Sequence, residues 1–186
     1  MYANPADTLN YFHEDYYENG KLFAKGKYSN GKQDGLWEWW YDNGNKRDEA
    51  MLKHGEYIGQ RKHWFENGKI KQLEIINGEC FGDCCNGEVI KYYDNGQVQS
   101  EGRMLNGDYD GKYVYHYDNG QAKKEEYFNV GLRNGNYLEW FSNGKKWVVG
   151  FYKADKQDSI WTWYDTTGHV KSIQLFKDGQ LIKHIK

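Results

Sequence analysis

Proline occurs once, at Pro5, cysteine three times, and Leu, Ile, Val and Phe together make up 18% of the 186 residues. A chain so poor in core-forming side chains stays disordered when its net charge is large, but here 25 basic residues meet 27 acidic ones and the formal charge is −2. The same balance weakens any reading that needs the strongly basic surface of a nucleic-acid or anionic-membrane binder, and no cluster of Lys and Arg occurs. No stretch approaches the roughly 18 apolar residues of a membrane span. Residues 1–19 also lack the basic and apolar regions of an export signal. A soluble, cytoplasmic protein is expected, or a secreted or envelope-associated one if a longer N-terminus has been trimmed.

What is present in excess is aromatic and glycine: 17 Tyr, 8 Trp, 8 Phe and 22 Gly. Tyr and Trp supply apolar area with a polar rim, which suits half-wet positions on a sheet. Eleven glycines directly follow Asn, the strongest short hairpin signal, because both central residues of a type I′ turn need positive φ. Six of these pairs follow an aromatic and then an acid or Ser: Tyr17-Glu18-Asn19-Gly20, Tyr41-Asp42-Asn43-Gly44, Phe65-Glu66-Asn67-Gly68, Tyr93-Asp94-Asn95-Gly96, Tyr117-Asp118-Asn119-Gly120 and Phe141-Ser142-Asn143-Gly144. Their glycines are spaced 24, 24, 28, 24 and 24 residues apart. A degraded seventh copy, Trp163-Tyr164-Asp165-Thr166-Thr167-Gly168, reads as a turn one residue longer. A second glycine recurs 11 residues after the anchor and a third 15 after it, the third being replaced by Ser159 in the sixth copy.

Two turns per 24 residues leave room for two short strands, and a fixed period of this length marks a stacked repeat architecture. The fold expected is all-β: an elongated single-layer antiparallel β-meander of about seven 24-residue hairpins, or 13 to 14 strands, covering residues 11–186 after a short extension at 1–10. The longer interval places an insertion at 79–87. With two-residue loops, Tyr17 faces Leu22, Phe65 faces Ile70, Tyr16 faces Phe23, Trp40 faces Arg47, Trp64 faces Lys71 and Trp140 faces Trp147. The same register sets Tyr137 over Gly150, where a ring covers a residue without a side chain. It also sets Glu38 opposite Glu49, a like-charge pair expected to raise one pKa.

The unit of two aromatics, an acid, Asn-Gly-Lys/Gln, and then Asn-Gly-x-x-x-Gly-x-aromatic resembles the bacterial MORN repeat variant. The resemblance covers residues 11 to 186 and is closest at Tyr92-Tyr93-Asp94-Asn95-Gly96 and Trp40-Tyr41-Asp42-Asn43-Gly44. Proteins built wholly of this unit are similar to the YwqK-like antitoxin family. The resemblance implies a hairpin array acting through protein contacts, without catalysis, and a toxin as the partner.

Candidate chemistry is sparse. Cys80, Cys84 and Cys85 sit in the insertion, but their spacing is not that of paired zinc ligands, and a reduced or locally bridged loop is expected. His13, His54, His63, His116, His169 and His184 share no spacing and are expected to be solvated or stacked. Neither a nucleotide-binding nor a nucleophile-elbow motif occurs. The chain is therefore expected to be no enzyme, to hold no metal or cofactor, to bind no nucleic acid, and to pair with a second copy through its terminal strand. Exposed aromatics on a rigid sheet anchor partners. The residues expected to do so are Trp39, Trp40, Trp64, Tyr115 and Trp140, in a protein-binding scaffold or, alternatively, a carbohydrate or cell-surface binding module.

Overall fold

A computed structural model describes residues 9–80 and 86–186. Cys84 and Cys85 lie outside the described residues, so the question of their redox state does too. The chain divides at Gly96/Gln97 into two units. In the first, strands β1 (Tyr11–Tyr16), β2 (Leu22–Ser29), β3 (Lys32–Trp40), β4 (Lys46–Lys53), β5 (Glu56–Trp64), β6 (Ile70–Cys80) and β7 (Gly87–Tyr92) lie antiparallel in chain order. The second repeats the pattern with β8 (Val98–Leu105), β9 (Asp108–His116), β10 (Ala122–Asn129), β11 (Leu132–Trp140), β12 (Lys146–Lys153), β13 (Lys156–Tyr164), β14 (Val170–Lys177) and β15 (Gln180–His184). The meander is all-β, as the turn period predicts, with no helix among the described residues. Among the described residues it has fifteen strands rather than 13 to 14, because Asp178 and Gly179 make one more reversal into β15.

The two turns of each repeat differ in kind. The Asn-Gly turns at the second glycine are two-residue type I′ reversals: Asn30 and Gly31 have φ of 52° and 74° between the paired Ser29 and Lys32. The anchor turns are not. Asn43 is absent from the residues with positive φ, while Gly44 has φ of 94°. The Gly44 amide donates to the Tyr41 carbonyl at 2.9 Å, and the Tyr41 amide donates to the Asn45 carbonyl at 2.8 Å. Those bonds define a three-residue loop, a type I turn closed by a glycine bulge.

The register is corrected accordingly. Next to the turn Tyr16 faces Leu22, Trp40 faces Lys46, Trp64 faces Ile70 and Trp140 faces Lys146, instead of the partners a two-residue loop gives. The bulge absorbs one residue, so further along the strands Glu38 still faces Glu49 and Tyr137 still faces Gly150. The final turn is not longer either. The Asp165 amide donates to His169 and the Gly168 amide to Asp165, which is the bonding of Tyr41 and Gly44. Asp165 thus holds the place of the anchor aromatic.

With one layer, burial must come from within the layer. One face of the first unit carries a row in which Trp37 lies on Gly26 and faces Ala50, Ala50 faces Arg61, Arg61 faces Glu74 and Glu74 faces Val89. The second unit repeats it as Gly102, Tyr113, Glu126, Tyr137, Gly150, Trp161 and Gln174. In the second row large rings alternate with Gly, Glu or Gln, and among the described residues Trp37, Tyr113 and Trp161 are the largest fully buried side chains. Gly150 is covered chiefly by Trp161, with Tyr137 5.3 Å from that indole.

Successive hairpins are tied at the anchor. The Tyr41 hydroxyl donates to the Trp64 carbonyl at 2.8 Å, Tyr17 does the same to Trp40, and Tyr117 to Trp140. The Asn43 side-chain oxygen accepts from the Asn45 amide while its NH₂ donates to the Glu66 carbonyl at 3.1 Å. Asparagine serves there as a two-ended side-chain clip. Tyr41→Phe should therefore lower stability by about 0.5–1.5 kcal/mol, one neutral hydrogen bond. Thermal melting checks this; a loss above that range would mean that the ring packs differently.

Candidate binding groove

In the second unit, the start of β12, the end of β13 and the start of β14 enclose a groove of about 650 Å³. Its aromatic walls are Phe141, Trp147, Trp163 and Tyr164; Asp165, Thr166, Lys171, Ser172 and Gln174 supply the polar ones. Trp147 occupies the bulge next to the anchor turn and stacks on Phe141, with ring centroids 5.6 Å apart and planes 28° apart. It is 41% exposed, more than any other tryptophan among the described residues. Trp163 continues the wall, 6.0 Å from the buried Trp161.

The carboxylate of Asp165 sits at the rim. The Thr167 hydroxyl donates to it at 2.5 Å, and the backbone amides of Thr167 and His169 donate at 2.9 and 3.0 Å. The hydroxyl first, then those amides, hold its pKa down to about 2. The group is ionised at any physiological pH.

A second cluster lies in the first unit, on the face that carries Trp37. His63 Nδ1 is bonded to Asp48 Oδ1, and Nε2 points at Glu74 Oε1 from 3.7 Å, too far for a hydrogen bond. Arg47 Nε holds the other Asp48 oxygen at 2.6 Å, and Gln72 donates to Glu74 at 2.5 Å. Burial pulls the imidazole pKa down, but the two carboxylates outweigh it and the net shift is upward. Burial pushes Asp48 and Glu74 up, and His63 with the arginines brings both below the usual carboxylate range. His63 is therefore neither solvated nor simply stacked. The pairing of Asp48 with His63 across β4 and β5 was available from the 24-residue register; scattered histidine spacing concealed it.

The Glu38–Glu49 pair exists in register but not as a proton-sharing dyad. Lys46 Nζ bridges the two at 2.6 and 2.7 Å, with Lys25 and Lys62 3.1 and 3.3 Å from the outer oxygens. Burial raises Glu38 and the lysines more than reverse it; for Glu49 the Lys46 bond is the largest influence. Both carboxyls are lowered rather than one raised.

The aromatics expected to meet a partner each have neighbours within their own unit. Trp39 packs beside Trp37 at 5.8 Å, and Trp40 and Trp64 carry Lys25 and Lys46 over their rings at 5.2 and 5.6 Å. Tyr115 lies under Lys124 at 4.2 Å, and burial keeps its hydroxyl protonated by raising its pKa. Trp140 is half-buried, and its carbonyl is held by Tyr117. Trp39, Trp40 and Trp64 belong to the first unit, Tyr115 and Trp140 to the second. Trp147 and Asp165 were missed because the groove arises from what the last hairpin lacks.

The family model for the MORN repeat variant matches residues 13–30, 33–56, 57–75, 86–106 and 157–178, more than half of the chain. The chain belongs to the MORN repeat variant family. No curated protein matches it. The five matched segments of the MORN repeat variant include the strands and turns that carry the His63 cluster, and the last one holds Trp163, Asp165 and Lys171 of the groove. Repeats of this family are generally scaffolds for binding.

Proposed function

We propose that this MORN-variant chain is a non-enzymatic scaffold that binds another protein. The observation that supports this most directly is the open groove around Trp147, a 41% exposed indole with an ionised carboxylate beside it on a hydrogen-bonded sheet. A rigid aromatic anchor flanked by polar groups is the composition of an interface hot spot, and a sheet that is already ordered loses little conformational entropy on binding. The acids in the sheet are engaged by lysines, which favours recognition over turnover: Glu38 and Glu49 stay ionised rather than poised for proton transfer.

Within this reading the partner is a toxin neutralised by the chain, the role the repeat family resemblance implies. The test is to capture the product of the adjacent reading frame with the full chain, and to measure host growth with and without it. Stoichiometric capture and restored growth are the expected results, with Trp147→Ala weakening capture at least tenfold, about 1.4 kcal/mol. Growth unaffected by the neighbour, with no capture, removes the antitoxin role.

A further inference from the structure

The repeat contains its own comparison. At a spacing of 124 residues, Tyr17, Phe23, Trp39, Tyr41, Arg47 and Asp48 of the first unit correspond to Phe141, Trp147, Trp163, Asp165, Lys171 and Ser172 of the second. In the first unit the space over the Phe23 ring is filled from within: the Arg47 guanidinium lies 5.3 Å from the ring centroid, held by Asp48 at 2.6 Å. The Tyr41 ring beside it is fixed by its bond to Trp64. In the second unit each of these three fillers is replaced. Asp165 has no ring, Lys171 has no planar head, and Ser172 has no charge to hold one. Among the described residues Lys171 has no carboxylate within ion-pair distance and lies over no ring. The result is the groove.

We infer that the groove takes an arginine side chain from a protein partner, its guanidinium stacked on Trp147 and paired with the Asp165 carboxylate. This deepens the protein-binding reading and rests on it. The occupant is argued from the chain's own usage, since the equivalent place is occupied by a guanidinium over an aromatic face and beside a carboxylate. An indole is a better cation–π acceptor than the phenyl ring it replaces. The carboxylate has moved from the Asp48 position to the Asp165 position, and it stays on the same rim. Arginine is preferred to lysine because a planar, weakly hydrated head can stack and pair together. Lys171 and His169, whose Nδ1 lies 3.9 Å from Asp165 Oδ2, are the competing cationic side chains, and without an acid at position 172 Lys171 is not fixed in the way Arg47 is.

The test uses the full chain and three blocked tripeptides, Gly-Arg-Gly, Gly-Lys-Gly and Gly-citrulline-Gly, followed by the indole N–H resonances. The arginine peptide is expected to shift the Trp147 and Trp163 signals and to bind at least tenfold more tightly than the citrulline peptide, with lysine between. Trp147→Ala should abolish the effect and Asp165→Asn weaken it several-fold. The decisive variant combines Lys171→Arg with Ser172→Asp, rebuilding the internal filler. It should lower arginine-peptide binding at least tenfold without lowering the melting temperature, so misfolding is not the explanation. Equal binding of citrulline, binding undiminished in the rebuilt variant, or a neutral disaccharide shifting those two indoles where arginine does not would each overturn the inference. If a captured protein partner is retained by Trp147→Ala, the scaffold stands and the arginine groove falls. If the arginine peptide binds while no protein is captured, the reverse holds.

Discussion

The Gly150→Ala variant is expected to lose about 1–3 kcal/mol of stability in a urea or thermal titration, although alanine has the higher strand tolerance. Its φ lies outside the left-handed region, so backbone strain does not enter. A Cβ at this position would stand under 3.0 Å from three ring carbons of Trp161, and that indole is 2% exposed, wedged between Tyr137, Tyr152 and Trp163. It has nowhere to retreat within a single layer. Trp161→Ala should cost more, about 3–5 kcal/mol for a buried ring. The double variant should cost less than the two together, because the new methyl fits beneath a missing indole. A coupling of about 0.5–3 kcal/mol is expected for groups in contact. Gly144→Ala is the control: its φ is +79° and nothing lies within 4 Å, so its loss is backbone strain of about 1–2 kcal/mol and should add to that of Trp161→Ala. Additivity of Gly150→Ala with Trp161→Ala would show that the ring does not depend on the bare glycine.

This dependence explains which features the sequence made legible. The 24-residue period, the strand count to within two and the register in mid-strand follow from glycine spacing and from aromatic residues set in pairs. Turn type does not follow, since Asn-Gly serves both a type I′ reversal and a bulged three-residue loop. The two differ in how the chain closes across the loop: at the anchor the Tyr41 amide donates to the Asn45 carbonyl beyond the glycine, whereas at the second glycine Ser29 pairs directly with Lys32. Asn43 looked like a residue chosen for positive φ and is instead a side-chain clip. The groove was hidden for a related reason. Reading Asp165 as part of a longer turn removed it from the anchor phase, and with it the comparison to Tyr41 that shows what is missing. The His63 cluster escaped because its three members belong to three strands and to no local motif.

That cluster makes the stability of the chain depend on pH in a predictable direction. His63 is one-fifth exposed and faces Asp48 from β4 and Glu74 from β6, while Arg61 on its own strand and Arg47 beside Asp48 supply opposing positive charge. Its folded pKa is raised above the ordinary 6.5. The folded state therefore binds a proton more tightly than the unfolded chain. The stabilisation is fully present below about pH 6.5 and is lost as pH rises through the higher folded value. Asp48 and Glu74 act in the opposite sense: both are lowered, so their contribution is complete above the ordinary carboxyl values of 3.8 and 4.5 and disappears as pH falls through the folded ones. Between these limits, at mildly acidic pH, both terms are in force. His63→Gln should destabilise by about 1–3 kcal/mol at pH 5.5, a partly exposed version of removing one member of a buried pair, and by less at pH 9. Asp48→Asn should move the alkaline loss to lower pH, since the imidazole then retains only Glu74 at 3.7 Å. Urea midpoints of the three proteins from pH 5 to 9 provide the measurement. A His63→Gln curve parallel to that of the unaltered chain would mean that the imidazole titrates alike in the folded and unfolded states, so that Asp48 and Glu74 add nothing to its proton affinity.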